Sequence, residues 1–228
     1  MLDRKPERLE KILQLAANRQ PDLTVFMEEV HKPHNLAAIV RTADAVGIGE
    51  VHATFPDGVK FRGHHTSSGA KRWVKTHRHE SLTDGVKLLK EQGMQLLCAN
   101  FSDEAVDFRS VDYTKPTCLL VGSELVGVSS EAAEIADKHV IIPMMGMVQS
   151  LNVSVATALI LYEAQKQRAE AMMYGEQKIS QEEVDLMIFS SLQPKLKQFC
   201  DENKLRYPKL NEVGEIDDSA WDKLRKNL

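Results

Sequence analysis

Short apolar runs with few interruptions alternate along this chain with segments of helical periodicity, and that alternation restricts the fold more than any other feature. A strand that is apolar on both faces must be buried on both, which a parallel sheet flanked by helices provides. The runs expected as strands are 23–26, 51–55, 73–76, 94–99, 117–121 and 139–143. Helices are expected over 35–45 and 82–92, from about Ser130, and over 151–170. A further amphipathic helix over 6–19 precedes them, with Pro6 in its first turn and Leu9, Ile12, Leu13 and Ala16 on one face. Past Tyr174 strand-like runs cease, and helices near 180–192 and 194–203 lead into a weakly periodic tail. The reading is an α/β fold with a mainly parallel sheet and flanking helices. It divides into an N-terminal helical extension (1–20), a core domain (21–172) and a C-terminal helical appendage (173–228).

Composition narrows the function classes. Hydrophobic content of 43% with 27% charged residues is that of an ordinary globular protein. No apolar run approaches the roughly 20 residues needed to cross a bilayer. The first residues, MLDRKPERLEKIL, lack the apolar core of a signal peptide, so the expected location is cytoplasmic and no membrane partner is expected. Three cysteines, Cys98, Cys118 and Cys200, are too scattered for a metal cage or a disulfide framework. His64 and His65 have no further ligand at useful spacing, so no metal is expected.

A net charge of −4 does not announce a nucleic-acid partner; its distribution is more telling, with a solvated loop of incidental charge as the alternative. Between Val59 and His79 stand Lys60, Arg62, Lys71, Arg72, Lys75 and Arg78, four histidines, Trp73 and no acid. Cations beside an aromatic ring meet the needs of phosphate contact and base stacking.

The chemistry-bearing residues fall into three groups, each just past the carboxyl end of an expected strand, where open α/β sheets bind ligands. The first is Asn35 to Arg41, with Asn35 expected as a helix cap. Taken alone, Arg41 reads as a cation snorkelling from an apolar helix face. The second is Val121 to Gly127, VGSELVG, whose glycines let backbone approach a ligand and flank Glu124. Glu124 alone reads equally well as an exposed or helix-capping carboxylate. The third is 140–163, VIIPMMGMVQSLNVSVATALILYE: a buried strand closed by Pro143, a tight loop, then polar Ser150 and Asn152 at a helix entry. That stretch is also compatible with an ordinary strand–turn–helix. Neither G-x-G-x-x-G after the first strand, nor a Walker-type G-x-x-x-x-G-K-S/T, nor a G-x-S-x-G elbow occurs.

Three motifs in order, NLAAIVR (35–41), LLVGSELVG (119–127) and IPMMGMVQSLNVSVA (142–156), make the chain closely resemble the TrmH-type tRNA (guanosine-2′-O)-methyltransferases of the SPOUT superfamily. The resemblance spans about residues 19 to 168, and the phrases QPDLTVFMEEVHKPHN and DYTKPTCLLVGSE are similar to the tRNA-specific branch. It implies a C-terminal deep trefoil knot, a homodimer, and S-adenosylmethionine held mainly by backbone at Ala99, Gly122, Ile142 and Leu151. Ala99 departs from relatives with threonine there, a change that a backbone contact survives. The implied reaction is methyl transfer to the ribose 2′-hydroxyl of a guanosine at position 18 of the tRNA D-loop. Its implied catalytic residues are Arg41, Asn35, Glu124, Ser150 and Asn152. Arg41 would either accept the hydroxyl proton or, since guanidinium is very hard to deprotonate, clamp the phosphate and stabilise the alkoxide. RNA contact is expected at Arg8, Lys11, Arg19, Lys32, His34, Lys60, Arg62, Lys71, Arg72, Lys166 and Arg168. A ribosomal-RNA methyltransferase and a noncatalytic RNA-binding protein of the same fold are the alternatives.

Overall fold

The computed structural model describes residues 4–55, 69–123, 125–211 and 214–216, without the side chains of residues 4–6 and 71. Lys60, Arg62 and Glu124, together with the side chain of Lys71, lie outside the described residues. Two compact units form: Gln20–Tyr174, and Met1–Arg19 with Gly175–Leu228.

Among the described residues, the larger unit is built on a seven-stranded sheet. Its strands are β1 (Leu23–Met27), β2 (Glu50–Ala53), β3 (Lys75–Arg78), β4 (Gln95–Ala99), β5 (Val106–Asp107), β6 (Thr117–Val121) and β7 (Lys138–Ile141). The order is β3-β2-β1-β6-β4-β7-β5, and each of these pairings is parallel. β1 and β6 lie centrally, every residue of both buried, with Leu23–Met27 opposite Thr117–Val121. Alternation sends Val25, Met27, Leu97, Leu119 and Val121 to one face and Phe26, Leu96, Cys98, Cys118 and Leu120 to the other. The first face packs under helices α2 (Pro33–Ala45) and α5 (Val153–Glu170). The second packs under α3 (Leu82–Glu91) and α4 (Ser130–Ile135). Each fully buried aliphatic side chain there contributes about 1.5–3 kcal/mol.

Local chemistry sets the boundaries. Helix α2 begins at Pro33 rather than Asn35: Lys32 takes the cap position, and Pro33 occupies the first turn, where its missing N–H costs nothing. Its end is a Schellman turn, with Gly47 at φ 89° and the Ile48 N–H on the Ala43 carbonyl at 2.9 Å. The third strand starts two residues later than expected, because Ala70–Arg72 wind into a 3₁₀ turn closed by the Trp73 N–H on Ala70 (2.8 Å). The two-residue edge strand β5 was too short to show as a hydrophobic run.

The smaller unit holds α1 (Arg4–Ala17), α6 (Gln181–Leu192) and α7 (Pro194–Glu202). Helix α6 opens with a reciprocal capping box between Ser180 and Glu183, and Arg8 Nε donates to Ser191 Oγ at 2.9 Å. The Phe189 and Tyr207 rings stack 5.0 Å apart. Among the described residues, no helix is long and apolar enough to cross a membrane.

Candidate active site

The chain leaves β1 towards β2 on one side and β6 towards β7 on the other, so the crevice of the sheet opens at the carboxyl ends of β1 and β6. Loops after β1, β6, β4 and β7 converge on that edge, and they carry the three motif groups.

Asn35 and Arg41 are both inside α2, which separates them by about 240° around the axis. Asn35 is therefore buried and Arg41 exposed. Asn35 caps nothing; its Oδ1 accepts a hydrogen bond from Asn152 Nδ2 at 3.2 Å. Asn152 is the N-cap of α5, and its Oδ1 accepts from the Ser154 N–H (2.8 Å) and hydroxyl (2.7 Å). One side chain thus closes the helix entry and reaches the first turn of α2. Helix α5 begins at Val153, two residues later than expected, and Ser150 stands before it, exposed and outside the cap.

Gly122 follows β6 directly, and its backbone presses on the other end of its own loop. A Cβ there would lie 2.0 Å from the Gly127 carbonyl oxygen and 2.2 Å from the Val128 nitrogen. Ser123 and Gly127 exchange both backbone hydrogen bonds at 2.9 Å, with Gly127 at φ 76°. Ala99 and Ile142, at the ends of β4 and β7, are half-buried against the core under α2 and α5, and Leu151 is half-buried before α5. His139 Nδ1 donates to Asn100 Oδ1 at 2.8 Å and so fixes the residue after Ala99. Three strand ends and the α5 entry therefore present backbone groups along one edge, a suitable cradle for a small ligand. Around it stand exposed apolar side chains: Phe101, Leu125, Val126, and Met145 and Met147 at 95% and 99% exposure.

The cations expected at RNA divide. Arg8, Lys11, Lys32, His34, Arg72 and Lys166 are exposed. Arg168 is not. Its guanidinium is fully buried and donates to the Tyr113 carbonyl (2.8 Å), Gln20 Oε1 (3.0 Å), Asp22 Oδ1 (2.6 Å) and the Asp22 and Lys115 carbonyls. It fastens the end of α5 to the chain before β1 and β6, which leaves no donor edge for RNA. Arg19 is also buried, at 4% exposure, where the last turn of α1 closes on the Ala16 carbonyl. Sequence patterning does not reveal which arginines are buried, nor that the Arg168 guanidinium is spent on carbonyls and side chains of distant segments.

A profile of the SpoU rRNA Methylase family matches residues 22–162, and one of the SpoU rRNA methylase C-terminal region matches 166–219. The chain belongs to the SpoU rRNA methylase family. It is 49% identical over 219 residues to a tRNA (guanosine(18)-2′-O)-methyltransferase of Escherichia coli (strain K12), covering 95% of this chain and 96% of that one. The crystal structure of the Aquifex aeolicus TrmH/SpoU tRNA modifying enzyme superposes with a TM-score of 0.75 at 42% identity, over 89% of this chain and 99% of that one. The SpoU methyltransferase AviRb from Streptomyces viridochromogenes, in complex with the cofactor AdoMet, gives a TM-score of 0.60 at 27% identity. The alignment covers 68% of this chain and 61% of that one.

Two features of this SpoU chain had no signal in its periodicity. One is Glu28, buried directly after β1, whose carboxylate accepts from the Ser129 N–H (2.9 Å) and hydroxyl. An acidic pair closing an apolar strand was its one visible trace. The other is a row of rings across three strands, Phe26, His52 and His77, aligned by register. His79 stacks over His52, and their ring nitrogens share a hydrogen bond at 2.8 Å. Burial first, then the neighbouring His77, His79 and Lys75 charges, lower the His52 pKa to about 4. Burial and His77 likewise lower that of His79.

Proposed function

We propose that this chain methylates the ribose 2′-hydroxyl of guanosine 18 in the D-loop of tRNA, with S-adenosylmethionine as methyl donor. The observation that carries the reading is the side-chain bond from Asn152 to Asn35, which joins the entries of α5 and α2 at the cradle edge. The E. coli relative named for this activity supports it over nearly its whole length.

The residues present fit the donor. Gly122 lets its loop close on itself where a Cβ would strike the Gly127 backbone, and Ala99, Ile142 and Leu151 stand half-buried at the neighbouring strand ends and helix entry. When bound, S-adenosylmethionine supplies an electrophilic methyl group for in-line displacement by the hydroxyl. Arg41, exposed on α2, clamps the substrate phosphate and stabilises the emerging alkoxide while the hydroxyl proton passes to solvent water, a role that suits a group hard to deprotonate. Asn35 and Asn152 hold the α2 and α5 entries in register, while Ser150 and Glu124 orient the ribose. Exposed Lys32, His34 and Arg72 supply phosphate contacts, as do Arg8, Lys11 and Lys166 and, from the stripe, Lys60, Arg62 and Lys71.

The active form is a homodimer. Val155, Leu159 and Tyr162, spaced along one exposed side of α5, and the apolar loop around Met145 and Met147 form the face that a second copy covers. The C-terminal part of the core domain, 21–172, is threaded into a deep trefoil knot, with 1–20 and 173–228 as helical additions. The enzyme works in the cytoplasm, where tRNA is processed.

The test is labelled S-adenosylmethionine with unmodified tRNA transcript, followed by nucleoside analysis. 2′-O-methylguanosine at position 18 is expected, and its absence from wild-type reactions overturns the proposal. Arg41→Ala should abolish transfer while cofactor binding persists. The family's description as rRNA methylases favours a second reading, ribosomal RNA as substrate, which the same assay on ribosomal transcripts decides.

A further inference from the structure

Glu28 stands where two segments of the site leave the sheet. Its N–H donates to the Val121 carbonyl at 2.8 Å, extending the β1·β6 pairing one residue beyond the end of β1. Its carboxylate accepts from the N–H and hydroxyl of Ser129, whose Oγ also accepts the Ala132 N–H (3.0 Å) as the cap of α4. Glu28 therefore holds both ends of residues 122–128: the last residue of β6 through backbone, and the first residue past the loop through its side chain. Inside that clamp, Gly122 lies flat against Gly127, and the Ser123–Gly127 pair closes the base. On the other side the chain turns at Glu29, in the left-handed region at φ 52°, with its N–H on Thr54 Oγ1 (3.3 Å). From there it runs directly into α2, with Asn35 and Arg41. The carboxylate also lies near Cys98 on β4, where burial and then the Glu28 charge push the thiol up to about 12, so the thiol stays protonated beside it.

We propose that Glu28 is a positioning residue for the methyl donor: by fixing Val121 and Ser129 it holds the Gly122–Val128 loop in the shape that receives the cofactor. This rests on the methyltransferase reading above. A carboxylate with only a structural role, complementing the amino end of α4, would contribute stability and nothing to ligand affinity. The positioning role separates cofactor affinity from RNA affinity, because the loop it fixes differs from the surface cations that meet phosphate.

The test uses the full chain as wild type and as Glu28→Ala, Glu28→Gln, Ser129→Ala and the Glu28→Ala/Ser129→Ala double variant. S-adenosylmethionine binding is followed by calorimetry, tRNA binding by filter retention and folding by circular dichroism. Glu28→Ala should weaken S-adenosylmethionine about tenfold or more, as misplacement of a preorganised loop does, while tRNA affinity stays within about twofold. Glu28→Gln keeps one oxygen for the Ser129 N–H and should recover most of the loss. Ser129→Ala should weaken the cofactor in the same direction, and the double variant should be no worse than Glu28→Ala. A folded Glu28→Ala with wild-type cofactor affinity overturns the proposal. Should that variant not fold, Ser129→Ala with unchanged cofactor affinity overturns it instead. A wild-type chain that binds no S-adenosylmethionine overturns the underlying reading itself.

Discussion

Asn152 donates its side-chain amide to Asn35 Oδ1 at 3.2 Å, a bond between residues 117 positions apart that holds the entries of α5 and α2 together. Asn152→Ser keeps an oxygen to cap α5 but is too short to reach Asn35, so it isolates the bridge from the cap. We expect Asn152→Ser to slow methyl transfer about 100-fold with little change in thermal midpoint, since misplacing a positioning group costs on that order. Asn152→Ala should lose the same activity and about 1 kcal/mol of stability besides. Transfer to tRNA transcript and thermal unfolding check both.

Gly122→Ala sets a methyl group 2.0 Å from the Gly127 oxygen, and backbone cannot yield as a flexible side chain would. The loop must open. Cofactor affinity should fall more than tenfold and stability by about 1–3 kcal/mol, the usual cost of overpacking. Calorimetric titration with S-adenosylmethionine and urea unfolding measure the two effects separately.

Arg168 uses its buried guanidinium on four residues, and its ion pair with Asp22 at 2.6 Å has a partly exposed carboxylate on the other side. Arg168→Ala leaves buried carbonyls without donors and should cost about 3–5 kcal/mol in denaturant unfolding. Arg168→Lys should rescue little, because a single ammonium cannot reproduce the planar fork. An Arg168→Ala chain of wild-type stability would contradict the buried network, and one of wild-type stability with lost tRNA affinity would restore Arg168 to the RNA face.

His52 contributes acid sensitivity to the larger unit. Its folded pKa of about 4 lies below the ordinary 6.5, so between those values the unfolded chain binds more protons than the folded one. Stability is therefore full above about pH 6.5 and falls as the pH drops towards 4. His77, His79 and Lys75 disfavour charge on His52, Glu50 accepts from His77, and Asp84 opposes the lowering at His79. His52→Phe should remove about one proton from the linkage, or about 1.4 kcal/mol per pH unit of slope in that window. Urea unfolding at half-unit intervals from pH 4.5 to 7 is the measurement.

Met172 closes α5 in the left-handed region, at φ 55°, with the Met173 N–H on the Arg168 carbonyl at 2.8 Å. Glycine holds this position without a Cβ penalty, and Met172 is itself exposed. Met172→Gly should stabilise by about 0.5–1 kcal/mol, read as a raised thermal midpoint.

The sheet and its layers were legible because burial on both faces forces unbroken apolar strands: β6 falls at 117–121 as expected, and the α3 and α6 boundaries lie within a residue or two. The placement of the three polar motif groups just past strand ends was legible, since strands and helix entries bound each of them. What escaped were identities decided by distant partners. Asn35 looked like a cap because caps are asparagines, yet Pro33 took the helix start and turned Asn35 inward. Arg168 looked like an exposed cation on the last turn of a helix, and is spent on chain segments more than 50 positions away.

Sequence alone determined the alternating α/β architecture, its glycine turns and the three motifs, because periodicity and local backbone preference act over a few residues. Tertiary structure alone decided that Asn152 meets Asn35, that Glu28 clamps the Gly122 loop and that Arg168 is interior. Each depends on a partner brought near only when the parallel crossovers close. A polar side chain's value is set by which donor or acceptor it finds after burial, and no local pattern encodes that.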